Sequence, residues 1–570
     1  ALRSFFSFDY KVEDGHIVEF DVIGDNIPSL PESLRNLTHL RVLILQGNNL
    51  HSLPEWIGDL VNLQKIDLNF NRLKSIPESI GNLINLEYLE MGQNYITSLP
   101  ESIGHLINLK VLNFQGCDIN FLPDCFENMN NLEILDLDFN HLTSFPKSLG
   151  TLINLKELKI SKNPLEILPE FLKNLKNLRI INMNALSLTS LPDWFGELEN
   201  IEELYLSNNK FRLVPKCLKN LKNLKKLFFR KNNLISLPEW LGDLRNLNFL
   251  VLEDNQLTTL PKNFGNLSSL KNLDLSKNHL KKLPKWFGSL INLEYLNLYD
   301  NRIDFISNNF VNLRNLKNLE MSQNKLTLLP ENFGNLRNLK NLGLGENNLK
   351  FFFKSVKKLE NLESLALNDN NLSSIPESIG NFPKLRSLNL SNNMILFLPD
   401  ALGNLPNLIF LYLENNKITR LPESFKNLKL QILGLQNNPL KNLSNISNLE
   451  WLEEFTFNAT NFTQNGRSIS QSNFSNCDVQ NNISVIQSTH KLRGLESLAE
   501  YYSKSTIELA IQYCKNPDSL TSSEYKRLQW EAGRNEQELL EKHFGPENQI
   551  LKEINKRMKI RLPSGYKLMK

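Results

Sequence analysis

Asp136, Asp138 and Asn140 alternate with Leu137 and Phe139, which sets three oxygen-bearing side chains at the spacing that opens a calcium loop. The sequence then departs from that pattern: His141 stands where such a loop needs Gly, and Lys147 where it needs a closing Glu. No Gly-x-x-x-x-Gly-Lys-Ser/Thr, His-Glu-x-x-His, Cys-x-x-Cys or Gly-x-Ser-x-Gly occurs, and the eight His are scattered without ligand spacing. The expectation is a chain without catalytic machinery, metal or cofactor. The chemistry that stands out is aromatic and charged: Tyr205, Phe228, Phe249, Tyr295 and Tyr299, with Arg230, Lys231 and Glu253 among them. Rings beside Arg make recognition hot spots, so these residues point to binding.

A repeat positions them. A Leu-x-x-Leu-x-Leu-x-x-Asn-x-Leu-x-x-Leu-Pro phrase begins at Leu40 and returns at Leu63, Leu86, Leu109 and onward to Leu408. A weaker copy starts at Ile17, with Phe20, Val22 and Ile27 in the Leu positions. The 391 residues from 17 to 408 are 17 steps of 23, and two steps of 22 lead on to Leu430 and Leu452, giving 20 units with the last one partial. Within a unit, Leu43 and Leu45 alternate with variable neighbours, the mark of a short strand with one buried face. Asn48 turns the chain, because its amide can both donate to and accept from backbone groups that a tight turn leaves open. Asn fills this position in 16 of 20 units, the exceptions being Asp25, Cys117, Leu186 and Thr460. The same pattern absorbs the calcium-like run, with Leu137 as core and Asn140 as the turn residue. Leu53-Pro54 opens a return arm whose Ile57, Leu60 and Leu63 fall three apart, as on a helical or 3₁₀ turn. No unit can bury its Leu face alone, so stacked units share one core and act as one domain.

Phrases such as Ile76-Pro77-Glu78-Ser79-Ile80-Gly81-Asn82-Leu83 and Leu329-Pro330-Glu331-Asn332-Phe333-Gly334-Asn335-Leu336 resemble the leucine-rich-repeat superfamily, and within it the 23-residue Ras-group type. The resemblance spans residues 17–462. It implies an α/β solenoid, a horseshoe with a parallel concave sheet and short helical or 3₁₀ convex arms, and a protein-binding role as a signalling scaffold. A small GTPase or phosphatase is the partner class it suggests. Twenty coils at about 4.8 Å per strand make an inner sheet of roughly 95 Å, long enough for more than one partner.

In that fold the concave surface is made by the variable positions around the strand leucines, such as Val42, Ile44, Gln46 and Gly47. Read through the chain, these positions carry mostly acid in the first six units, including Asp67, Glu90, Asp136 and Asp138. The next four carry Lys159, Lys162, Lys226, Arg230 and Lys231 against Glu157 and Glu203, and acid then returns from Glu253 onward. A basic band between acidic arms is expected. Tyr205, Phe228, Phe249, Tyr295 and Tyr299 fall on the same positions over the middle of the sheet, which marks them, with Arg230, Lys231 and Glu253, as the candidate partner-binding surface. Nucleic acid is not expected there, because flanking acid would repel phosphate. On the return arm, Trp56, Trp194, Trp240 and Trp286 share one position with Cys125 and Cys217. Packing against smaller neighbours is the favoured reading, and an outer docking strip the alternative. Ser307 and Phe353 replace the arm's Pro, and the second lies in a Phe351-Phe352-Phe353 run.

Residues 1–16 precede the first coil and are expected to cap it with Phe5, Phe6, Phe8 and Tyr10, since an open solenoid end exposes core. Residues 463–487 are Ser-, Asn- and Gln-rich and read as a linker. Helical signals return in 488–570: Thr521-x-x-Glu524 forms a capping box, and Ile550, Ile554 and Met558 recur at four-residue spacing. This C-terminal helical segment reads as a cap or a separate module. Lys+Arg 64 against Asp+Glu 61 gives a net charge of +3, too balanced for a global nucleic-acid or membrane field. No apolar run reaches the roughly 18 residues a membrane span needs. Cys125 and Cys217 lie four units apart, roughly 19 Å, so reduced thiols and a cytoplasmic setting are expected. Two alternatives to the scaffold remain. One is a secreted effector or surface recognition protein. The other is a ubiquitin-ligase-like accessory, for which Cys477-Asp478 faintly echoes the Cys-Asp of ligase domains on some bacterial leucine-rich-repeat proteins.

Overall fold

The computed structural model describes residues 9–441 and, beyond them, 444–446, 452, 454–456, 463–464, 467–468 and 478–480. All belong to the first of two compact units, residues 1–481 and 482–570. The helical segment expected over 488–570 lies outside the described residues. The chain opens with an antiparallel pair, β1 (Asp9–Glu13) and β2 (His16–Asp21), turned by Asp14 and Gly15 at positive φ. The capping element is therefore a strand: β1 extends the sheet along β2, and Tyr10 is exposed. The other expected capping rings, Phe5, Phe6 and Phe8, lie outside the described residues.

From β2 onward each coil adds a three-residue strand in parallel register with the last. Glu19 pairs with Val42, Val42 with Lys65, and Lys65 with Tyr88. The ladder forms part of a 22-stranded sheet. The middle residue of each strand is buried and its neighbours face outward, as at Val42–Ile44 and Lys226–Phe228, because side chains alternate across a strand. Beneath the sheet one apolar core runs from Phe20 to Leu452.

The turn asparagines hold successive coils together. Asn71 Nδ2 donates to the Leu45 and Leu68 carbonyls at 2.9 Å each, and its Oδ1 accepts the Leu50 N–H at 3.0 Å. At the residue just before the turn Asn the chain passes through the left-handed region, mostly without glycine, at Phe70, Lys231 and Asp254 among others. A second asparagine ladder, on the residue before each unit's first Leu, runs along the exposed side: Asn62 Nδ2 donates to Thr38 O (2.8 Å) and Asn85 to Val61 O (2.9 Å).

The return arms are 3₁₀ turns such as Glu55–Asp59, entered from an extended Pro54. Their buried position carries a ladder of rings, with Phe287, Phe310 and Phe333 stacked at 6.1 and 6.3 Å. The tryptophan position is a packing device. Trp56 is buried, and Trp194, Trp240 and Trp286 pack against the core. For Trp286 the small neighbour is a glycine of the preceding coil: a Cβ on Gly265 would stand 3.0 Å from the ring. Ser307 leaves the arm unchanged, entering its 3₁₀ turn from the same extended conformation as Pro. At Phe351-Phe352-Phe353 the arm does change, to a short α turn over Phe353–Val356, with Phe352 buried and Phe351 exposed.

Inside the segment expected as a linker, Thr463–Gln464 pairs with Arg467–Ser468, and Asp478–Gln480 joins the main sheet beside Glu454–Thr456. The sheet thus continues one strand past residue 462.

Candidate functional site

Three rows of outward side chains cross the middle of the sheet. One runs Glu203, Lys226, Phe249, Asn272, Tyr295 and the next Tyr205, Phe228, Val251, Asp274, Asn297. The third, at the strand ends, holds Arg230, Glu253, Ser276 and Tyr299 at the same 23-residue spacing. Parallel in-register pairing brings the rings together: Tyr205 stacks on Phe228 at 4.5 Å and 8°, and Phe228 meets Phe249 at 5.2 Å. The Tyr205 hydroxyl donates to Glu203 Oε2 at 2.7 Å, and burial with this carboxylate pushes its pKa up. Tyr295 stands exposed two coils beyond Phe249, with Tyr299 half-buried at the edge of the same coil. The structure therefore joins Tyr205, Phe228 and Phe249 into one stack, with Tyr295 and Tyr299 two coils beyond Phe249.

The expected basic band takes a different form. Lys159 pairs with Asp136 at 3.4 Å and Glu157 at 2.8 Å, and Lys226 pairs with Glu203 at 2.9 Å. Arg230 is buried, with its Nε 2.7 Å from Glu253 Oε2, and Lys277 Nζ lies 2.9 Å from Glu253 Oε1. Strand register sets Lys159, Lys226 and Arg230 each beside an acid of a neighbouring coil, so much of the band's charge is neutralised within the sheet. Arg230 and Glu253 shape the floor of the surface and present little free charge to a partner. Lys231 is exposed, its ammonium pKa lowered by partial burial and by Arg230 beside it.

A second polar cluster lies at Asp136 and Asp138. Both are buried: Asp138 accepts the Ser161 N–H at 2.5 Å and the Asn182 Nδ2 at 2.8 Å. Burial, then Asp136 beside it, pushes the Asp138 carboxyl up to about 7; burial also raises Asp136. Asn140 plays the turn role, donating to Phe114 O at 2.8 Å, and Leu137 is core.

One set of charges escaped the reading of the four variable positions. The residue after the unit's first Leu is charged in most units along one edge of the sheet, and ion pairs form where the sign changes between adjacent coils: Lys110–Glu87 (2.6 Å), Lys156–Glu133 (2.8 Å), Lys225–Glu202 (2.5 Å), Lys317–Glu294 (2.5 Å) and Lys340–Glu363 (2.9 Å). The signal was present as acid and base 23 residues apart. These pairs are solvent-exposed, each contributing about 0–1 kcal/mol.

Cys117, Cys125 and Cys217 are free thiols, pushed up by burial to about 12, 11 and 11, which leaves little nucleophilic thiolate at neutral pH. Cys477 and Cys514 lie outside the described residues. Among the described residues no group of three His, Cys, Asp or Glu could hold a metal ion, and no helix is long and apolar enough to cross a membrane.

The family described as leucine-rich repeat region matches residues 78–240, 232–374 and 350–532, and leucine-rich repeats in two copies match 38–81. No curated protein matches the chain. Among solved structures, the chain is similar to the plant peptide hormone receptor RGFR1 in complex with RGF2: identity is 27%, 76% of this chain and 80% of that one are covered, and the TM-score is 0.56. It is also similar in fold to YopM from Yersinia enterocolitica, at 24% identity, 81% and 91% coverage and a TM-score of 0.57. A leucine-rich-repeat protein of Leptospira interrogans aligns at 29% identity over 74% of this chain and 90% of that one, with a TM-score of 0.49.

Proposed function

This chain belongs to the leucine-rich-repeat family, and on that footing we propose that it is a non-enzymatic scaffold gripping a protein partner on its concave sheet. The observation that carries the reading is the stack of Tyr205, Phe228 and Phe249 on three adjoining strands, with Tyr295 and Tyr299 two coils away. Each of these strands is hydrogen-bonded on both sides, so the rings are held in place before a partner arrives and little ordering entropy remains to be lost on binding. Aromatic rings bring large area with few rotatable bonds, which suits them as anchors. Likeness to a peptide hormone receptor supports a protein or peptide ligand. The finer reading is a cytoplasmic signalling scaffold whose partner is a small GTPase or phosphatase.

The test is a cytosolic pull-down with quantitative mass spectrometry, comparing the full chain with a Tyr205→Ala/Phe228→Ala/Tyr295→Ala variant checked by circular dichroism. Truncating a hot-spot residue costs about 2 kcal/mol or more, so one defined protein should fall at least about thirtyfold. Equal capture by both proteins would remove the partner from this surface. Arg230 is left intact, because reversing its charge would set two carboxylates against each other in the sheet and test folding instead.

A further inference from the structure

Between the turn asparagines and the arm prolines, each coil turns three residues outward on the flank of the solenoid. In the coils that follow Leu270 the backbone locks these residues in register: Arg302 N–H donates to Leu280 O at 2.9 Å, Lys325 N–H to Ile303 O at 2.8 Å, and Phe305 bridges Lys282. Three consecutive coils place Phe305, Leu328 and Phe351 at one position, and Phe397 follows two coils later. Phe305, Leu328 and Phe397 keep more than half of their surface in solvent, and Phe351 keeps 80%. Met394 and Leu396 are exposed beside them. From Phe305 to Phe397 this ridge spans about 20 Å, interrupted at Ser374, and clustered exposed apolar side chains of this kind mark an interaction site.

Its border is basic. Lys281, Lys282, Arg302, Lys325 and Lys350 are all exposed around the ridge, with Asp304 as the acid among them. None of the five bases has an ion pair among the described residues. Arg420 lies over the Phe397 ring, 6.0 Å from its centroid. These charges differ from those of the concave sheet, which neighbouring coils neutralise.

We infer that this flank docks on the anionic face of a phospholipid bilayer. The apolar side chains project outward, so they suit insertion into a soft interface better than the walled groove a partner helix requires. Lys and Arg beside them meet lipid phosphates and carboxylates as the rings enter the boundary between headgroups and acyl chains. A second copy of the chain fits poorly, because a symmetric contact would set the same bases against each other. The inference is independent of the concave surface and adds a membrane-facing side to the molecule.

Co-sedimentation of the full chain with vesicles decides it, using phosphatidylcholine with about 30% phosphatidylserine against phosphatidylcholine alone, at about 0.1 M salt. Binding to the anionic vesicles should exceed binding to the neutral ones at least about tenfold. Each charge removed weakens binding about fivefold, so Lys325→Glu/Lys350→Glu should lower it at least about twenty-fivefold. Phe305→Ser/Phe351→Ser should lower it at least about tenfold. Both variants should keep the circular dichroism spectrum and the concave-surface partner. The inference is overturned if anionic vesicles retain no more protein than neutral ones, or if both variants bind like the parent chain. It is equally overturned if vesicles are ignored while Phe351→Ser dissolves a dimer, or while an acidic amphipathic peptide binds the flank.

Discussion

Single side chains decide how well one coil is joined to the next, and the exceptions at the asparagine position show how. Where Leu186 replaces Asn, the bridge back to the preceding coil is lost, and only the forward side is bonded: Asn209 Oδ1 accepts from Leu186 N at 3.1 Å and Leu188 N at 2.9 Å. Asn48 does the same for Asp25 and Ile27. At Cys117 the thiol keeps one contact, to Met91 O at 3.4 Å. Buried charge is the other residue-scale feature. The folded pKa of Asp138, about 7, lies above the ordinary 3.8, so between those values the folded chain holds protons that the unfolded chain has released. Stability from this group is therefore greatest at low pH and falls as pH rises from about 4 to about 7. Asp274, pushed up to about 6 by burial and then by Glu253, adds a slope of the same sign. Thermal unfolding midpoints should thus fall between about pH 4 and about pH 7, and Asp138→Asn should flatten the decline because an amide does not titrate. An unchanged slope in the variant would show that Asp138 is not the group responsible.

At the scale of the coil, strand and arm were both legible in the sequence, because burial of one face imposes period two on the strand and period three on the arm. The concave ring positions were legible for the same reason. What was not legible is who faces whom across coils, since that depends on which residues 21, 23 or 26 apart meet. The reading of a basic band failed on this point: Lys159 and Asp136, or Arg230 and Glu253, are neighbours only once strands pair in register. The arm glycines carry a similar cross-coil demand. A Cβ on Gly242 would overlap the Asn263 carbonyl oxygen, and one on Gly288 that of Asn309, whereas at Gly380 the nearest atom is the Ala401 Cβ at 3.2 Å. Backbone cannot yield as a side chain can, so Gly242→Ala should cost about 1–3 kcal/mol and Gly380→Ala much less. Urea unfolding of the two variants checks this, and equal costs would mean that arm spacing is not set by these contacts.

Across the whole molecule, a solenoid is stabilised by nearest-neighbour interfaces, so its behaviour is governed by the weakest interior one. The interface between the coils beginning at Leu155 and Leu178 lacks two features that join other coils. Leu186 has no amide with which to bond the coil before it, so the two-way asparagine bridge seen at other interfaces is missing there. At the same interface the core leaves a small apolar void lined by Leu158, Ile160, Leu172, Ile181, Met183 and Trp194 among others. Strand pairing persists, with Ile160 N–H donating to Asn182 O at 2.9 Å and Ile180 N–H to Lys156 O at 3.0 Å. Each lost hydrogen bond removes about 1 kcal/mol, so opening here should be favoured by about 2 kcal/mol over an intact interface. Native-state hydrogen exchange of the Ile160, Lys162 and Ile180 amides should then run about thirtyfold faster than that of Leu252 and Asp254, whose coil is bridged by Asn278. Leu186→Asn should slow the first group and leave the second unchanged. Uniform protection across both interfaces would mean that the void and the missing asparagine are offset by the paired strands, and that the array opens from its ends instead.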